Sequence, residues 1–258
     1  MVMVDAGGYE VHATIQGGDN PPVVAVSAQG TEATQWAPVV DRLFSDPQLI
    51  TYDRPGIGRS APRPTPNPPA PYRRFADELA TMLDHLGITT RVVAVGHSFG
   101  SLIVRSFAAH RPDRVAGMVH ADGSLPGMVL WPDYGPLVDG SGPHATSIDA
   151  ATGAADLAHD TLPDIPTVVL TRTPGRWRDP RADTAVEQAW RDNQATLARL
   201  CRAPLVTATD AGHDLPGEAP GLVAYAIDQV VHAVRTSAAR VVLDPVHLAA
   251  VGGTADGA

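Results

Sequence analysis

A serine set between two glycines, in Gly96-His97-Ser98-Phe99-Gly100, follows the apolar run Val92-Val93-Ala94-Val95, and here residue type and spacing together point to chemistry. In a GxSxG turn between a buried strand and a helix, the serine is held at the tip of a sharp bend, and the small residues let the backbone close around it. The helix expected from Phe99 to about His110 would start with free N–H groups beside Ser98, where negative charge develops during attack on a carbonyl. Ser98 is therefore the candidate nucleophile. An unassisted hydroxyl is barely nucleophilic at neutral pH, so Ser98 needs a base from elsewhere in the chain. A lone GxSxG is a weak signal, and what gives it weight is a strand before it and a helix after it.

The rest of the chain supplies that setting. Short β-rich runs alternate with longer helical patterns, the signature of a mostly parallel sheet with helices on both faces. Tyr9 to Gln16, Val23 to Ser27 and Leu49 to Tyr52 read as early strands, and the last leads into the turn-rich Asp53-Arg54-Pro55-Gly56-Ile57-Gly58-Arg59-Ser60. A proline-dense linker from Ala61 to Pro71 precedes an amphipathic helix with Phe75, Leu79, Met82, Leu83 and Leu86 at helical spacing, which are core positions. Further strands are expected at Val115 to His120, Pro166 to Thr171 and Pro204 to Ala208, with helices over Arg181 to Leu200 and Pro220 to Arg235. Ser124 to Asp164 is rich in Gly, Pro, Asp and Ala with weak periodicity, and reads as a small lid insertion rather than a second domain.

Composition narrows the function. The 258 residues, 44% of them hydrophobic, can bury a sizeable core as one α/β domain. Nineteen basic against 28 acidic residues give a net charge of −9, which argues against nucleic acid or an anionic membrane surface as partner. No apolar run reaches the length of a membrane span, and the N-terminal MVMVDAGGYE lacks the pattern of a signal peptide, so a cytoplasmic protein is expected. All the basic residues are arginine. Without a lysine there is no Schiff-base or pyridoxal-phosphate chemistry and no P-loop. The single cysteine, Cys201, rules out an internal disulfide and reads as a buried apolar residue. No two histidines stand at ligand spacing beside a carboxylate, so neither a metal nor another cofactor is expected.

Four motifs in order resemble the α/β-hydrolase fold family across nearly the whole chain. Val23 to Val26, followed by Ser27-Ala28-Gln29-Gly30 and Trp36, resembles the strand and oxyanion loop, and Asp53 to Ser60 resembles the turn after the next strand. GHSFG resembles the nucleophile elbow, and Gly212-His213 with Glu218 and Pro220 resembles the catalytic-histidine loop. The resemblance implies an α/β-hydrolase domain over residues 1–238 with a lid insertion at about 124–164; the remaining 239–258 lie outside it and read as a C-terminal tail.

It also implies roles. Of the ten histidines, His213 is the expected general base, and His97, inside the elbow, is expected to tune packing. Many relatives carry the acid a few residues after the strand Val168 to Thr171, where this chain reads Arg172-Thr173-Pro174-Gly175-Arg176-Trp177-Arg178-Asp179. The acid is then either Asp122, at the preceding strand end where some family members place it, or Asp179 reaching back, with Asp164 or no acid as further alternatives. The oxyanion hole is expected from the backbone N–H groups of Phe99 and Gln29, although Ser27-Ala28 replaces the family's frequent His-Gly pair. Leu125, Met128, Val129, Leu130, Trp131 and Tyr134 of the insertion are candidate pocket residues.

Dehalogenases and epoxide hydrolases of this fold need an aspartate where Ser98 stands, and hydroxynitrile lyases of the fold need a lysine. What the resemblance leaves is hydrolysis of a small carboxylic ester, lactone, thioester or amide through an acyl-enzyme on Ser98. The alternative is a cofactor-free lyase, cyclase or isomerase, or a ligand-binding relative, on the same scaffold. A small acyl compound is the expected partner, and the oligomeric state is left open.

Overall fold

The computed structural model describes residues 1–128, 136–177 and 184–255. Among them, nine strands make one sheet. β1 (Val2–Asp5) and β2 (Glu10–Gln16) form an antiparallel start, β3 (Asp19–Val26) and β4 (Pro47–Tyr52) follow, then β5 (Val92–His97) and β6 (Val115–Ala121). A short antiparallel ribbon of β7 (Val138–Asp139) and β8 (Thr146–Ser147) stands apart from the sheet, which continues through β9 (Thr167–Thr171), β10 (Leu205–Ala208) and β11 (Gly253–Ala255). The spatial order is β1-β2-β4-β3-β5-β6-β9-β10-β11, parallel from β4 to β10 and antiparallel at both edges.

Every residue of β5, β6 and β9 is buried, as expected of strands covered on both faces, which explains their nearly continuous apolar runs. One face is covered by α2 (Tyr72–His85), α3 (Phe99–His110), α4 (Ala150–His159) and α5 (Thr184–Cys201), with Phe75, Leu79, Met82 and Leu83 of α2 in the core. The other is covered by α1 (Ala37–Val40), α6 (Leu215–Glu218), α7 (Pro220–Arg235) and α8 (Pro245–Ala250). The chain passes from β3 outward to β4 and returns to β5 on the other side of β3, so the strand order switches direction there. In open α/β sheets a crevice opens outside the carboxyl ends of the strands at such a point.

Three segments differ from expectation. Val2–Asp5 forms an edge strand that carries little alternation of its own and is defined by pairing with β2. The proline-dense 61–71 is anchored: Arg63 is buried and donates to both Glu78 oxygens, at 2.6 and 2.5 Å, and also to Thr146. The stretch read as a tail outside the domain folds onto the sheet instead. α8 buries Leu248, and β11 pairs in register with β10, Thr254 opposite Thr207. No helix among the described residues is long and apolar enough to cross a membrane.

Candidate active site

Ser98 follows β5 in a conformation that few side chains adopt, with φ 53° and ψ −117°. The chain can take it because the flanking glycines have no side chains to place. A Cβ at Gly96 would lie 2.5 Å from the Gly100 carbonyl oxygen, and one at Gly100 would lie 2.1 Å from that of Val26. Ser98 N–H donates to Ala121 O at 3.0 Å, which ties the bend to β6. Phe99 turns its ring into the core, edge-on to Phe75 at 5.1 Å, and begins α3.

His213 comes from the loop after β10. Glu218 accepts the Gly212 N–H at 2.7 Å, Asp214 caps α6, and His97 Nε2 donates to the His213 carbonyl at 2.7 Å. His97 is fully buried; burial first, and then neighbouring His213, pull its pKa down to about 4. It is therefore a neutral ring with its proton on Nε2, buttressing the loop.

Asp122 follows β6 with φ 44° and no exposed surface. Its Oδ1 accepts from Thr171 Oγ1 at 3.0 Å, Arg172 N at 3.2 Å and Trp190 Nε1 at 2.9 Å; its Oδ2 accepts from Arg172 Nη1 at 3.2 Å and lies 2.7 Å from His213 Nδ1. Burial acts to raise the carboxyl, but the His213 hydrogen bond, the charges of His213 and Arg172 and the Trp190 N–H outweigh it and hold the pKa at about 2. His213 Nε2 in turn lies 2.9 Å from Ser98 Oγ. Three strand ends thus bring Ser98, His213 and Asp122 into one hydrogen-bonded chain.

Beyond β9, where many relatives carry the acid, Arg172 supplies a guanidinium instead. It is buried, donates to Asp122 and to Glu187 (2.8 Å), and lies over the rings of Trp177 and Trp190 at 4.1 and 5.0 Å. Both rings also approach His213, each at 5.2 Å between centroids. Asp179 lies outside the described residues, and Asp164 is exposed and paired with Arg202 and Arg240.

The Ser27–Gly30 loop faces Ser98 and is held by a buried ion pair. Arg54 Nε donates to Asp139 Oδ2 at 2.7 Å, and its other nitrogens bond the Ser27 and Ala28 carbonyls at 2.7 and 2.6 Å. Asp139 also takes the Gly30 N–H at 2.8 Å, and Gln35 takes that of Ala28 at 3.1 Å. No acceptor among the described residues engages the N–H of Gln29 or of Phe99. The Gln29 side chain is spent on the Val138 carbonyl at 2.6 Å, so the loop is tied to β7.

Ser98 and His213 open onto a cavity of about 440 Å³, which Ser124, Leu125, Met128 and Trp177 also line. Val129, Leu130, Trp131 and Tyr134 lie outside the described residues. Ser124, Arg172, Trp177 and Trp190 were not singled out from sequence. Only Ser124, two residues past the Asp122 candidate at a strand end, carried a positional hint.

The model of the α/β hydrolase fold family matches residues 21–198, well over half of the chain. The chain belongs to the α/β-hydrolase fold family. RutD of Caulobacter segnis, named as a candidate carbamate hydrolase, is 34% identical over 122 residues, 46% of this chain and 44% of that protein. RutD of Pseudomonas savastanoi, named likewise, is 35% identical over 113 residues, 43% of this chain and 41% of that protein. The matched stretches span less than half the length of these relatives. Among solved structures, a thermophilic esterase from Thermogutta terrifontis superposes with TM-score 0.61 at 23% identity, covering 90% of this chain and 98% of its own. The haloalkane dehalogenase DatA from Agrobacterium tumefaciens gives TM-score 0.66 at 16% identity over 90% and 96%. The α/β-hydrolase fold therefore hosts different chemistries in close structural neighbours, and the reaction must be argued from the site.

Proposed function

We propose that this α/β-hydrolase family member is a serine hydrolase that cleaves a small carboxylic ester, lactone, thioester or amide through an acyl-enzyme on Ser98. The observation that carries this reading is the unbroken chain of hydrogen bonds from Asp122 through His213 to Ser98 at the mouth of a cavity. In this reading ionised Asp122 holds the proton of His213 on Nδ1, which leaves Nε2 free to take the Ser98 proton as Oγ attacks the acyl carbon. The tetrahedral oxyanion is bound by the N–H groups of Phe99 and Gln29. His213 then protonates the leaving group and takes a proton from water, which attacks the acyl-enzyme and releases the acid. A carbamate, the group in the names of the two relatives, presents a carbonyl carbon open to the same attack.

The size of the cavity fits a modest acyl compound, with Leu125, Met128 and Trp177 as its apolar contacts. The test is labelling with a fluorophosphonate followed by peptide mass spectrometry. One adduct on Ser98, lost in His213→Ala, is the expected result. No adduct, or one indifferent to His213→Ala, overturns the reading.

A further inference from the structure

Ser98 Oγ has a second neighbour besides His213. Ser124 Oγ lies 3.1 Å away, with both serines 7% exposed, and the Ser124 N–H donates to the Ser98 carbonyl at 3.1 Å. The position is fixed from both sides. Gln194 Nε2 holds the Gly123 carbonyl at 2.6 Å, and a Cβ on Gly123 would lie 2.5 Å from Ser101 Oγ. Among the described residues the Ser124 hydroxyl has no partner other than Ser98. A serine serving only to fill a loop would ordinarily bond a nearby backbone carbonyl.

Counting protons gives this contact a direction. With Asp122 ionised, His213 donates from Nδ1 and offers a bare Nε2, so the Ser98 O–H points at His213. Ser98 has then used its only proton, and its contact with Ser124 can be made only by accepting the Ser124 proton. A donor aimed at this oxygen does little for a hydroxyl about to attack, because it withdraws electron density. It helps most when the bond from carbon to Oγ breaks and the electron pair returns to oxygen.

We propose that Ser124 is a catalytic residue for deacylation, donating a hydrogen bond to Ser98 Oγ as the acyl group leaves it; this rests on the serine-hydrolase reading above. In that step water adds to the acyl carbon and gives a proton to His213 Nε2. The tetrahedral carbon expels Ser98 Oγ with the bonding pair, and Oγ recovers the proton from His213. Ser124 keeps its own proton throughout and stabilises the charge that builds on Oγ.

The test is rapid mixing with p-nitrophenyl acetate, reading the burst of p-nitrophenol for acylation, the steady state for deacylation, and the adduct by intact mass. Ser124→Ala is expected to slow deacylation about 10- to 100-fold while acylation changes by less than about threefold, so acyl-enzyme accumulates. Ser124→Thr, which keeps the hydroxyl, is expected to restore turnover. If Ser124→Ala does not fold, Ser124→Cys, a weaker donor of similar size, is read by the same ratio. Equal slowing of both steps, or no slowing, overturns the proposal and leaves the nucleophile untouched. Absence of any adduct in the wild-type protein overturns the hydrolase reading, and this proposal with it.

Discussion

Arg172 Nη1 donates to Asp122 Oδ2 at 3.2 Å, the same oxygen that faces His213 Nδ1. The guanidinium is buried against two tryptophans, so solvent screens its charge weakly. Arg172→Met removes one of the groups that hold the Asp122 carboxyl at about 2, and the carboxyl rises. The acid limb of kcat then shifts to higher pH and activity is lost on the acid side, while near neutrality, where the carboxyl is still ionised, kcat changes much less. A pH–rate profile of the variant checks this. Arg172→Lys is expected to restore only part of the loss, because one ammonium cannot reach Asp122 and Glu187 as a planar fork does.

Asp122→Asn removes the acceptor that fixes the His213 tautomer. Turnover of a p-nitrophenyl ester is expected to fall by about three to four orders of magnitude, with KM little changed. Asp179→Asn, assayed alongside, is expected to retain most activity. The reverse ranking would move the acid to Asp179.

Gly100→Ala places a carbon against the Val26 carbonyl at 2.1 Å, and backbone cannot step aside as a flexible side chain could. The elbow must shift, at a cost of about 3 kcal/mol or more. Chemical denaturation of the variant, with Ser98 labelling as a second reading, tests both the stability and the site.

Breaking the Arg54–Asp139 pair leaves one buried charge unmatched. Asp139→Asn is expected to destabilise by about 3 to 5 kcal/mol. Replacing both, as Arg54→Met with Asp139→Leu, is expected to recover much of that stability but not activity, because the Ser27–Gly30 loop loses its anchor. Comparing denaturation midpoints with kcat separates the two effects.

Two buried histidines contribute to the loss of stability in acid. Burial, then His213, lowers His97 from 6.5 to about 4; burial, then Arg105, lowers His120 from 6.5 to about 3. Both stay neutral in the folded protein while the unfolded chain takes up protons. Their contribution is complete above 6.5 and is lost as pH falls, down to about 4 for His97 and about 3 for His120. Each costs roughly 1.4 kcal/mol per pH unit in its window. His120→Gln, which can keep a bond to Ser101, is expected to lessen the slope of unfolding free energy against pH by roughly 1.4 kcal/mol per pH unit where His120 titrates in the unfolded chain alone.

The parallel core and the elbow were legible because their signals are local. A buried parallel strand is a continuous apolar run, and GHSFG lies within one turn. The tail was misread because β11 is only three residues long, and its place depends on an edge of β10 that no nearby residue announces. Arg172 and Trp190 escaped notice for a related reason. Their meaning lies in Asp122, separated from them by 50 and 68 residues, and an arginine and a tryptophan on their own signal nothing. The side chain of Gln29 bonds a carbonyl 109 residues away, a tie that nothing near it in the sequence announces.

The opposite charges at two neighbouring strand ends also tie positions 122 and 172 to one another. Placing an acid after β9 while Asp122 remains would crowd carboxylates around one imidazole, and removing Asp122 alone would leave His213 without an orienting partner. Changing either residue alone is therefore expected to cost activity, and a double-mutant cycle at positions 122 and 172 measures how far the two depend on one another. Such dependence would be epistasis written into a single buried ion pair.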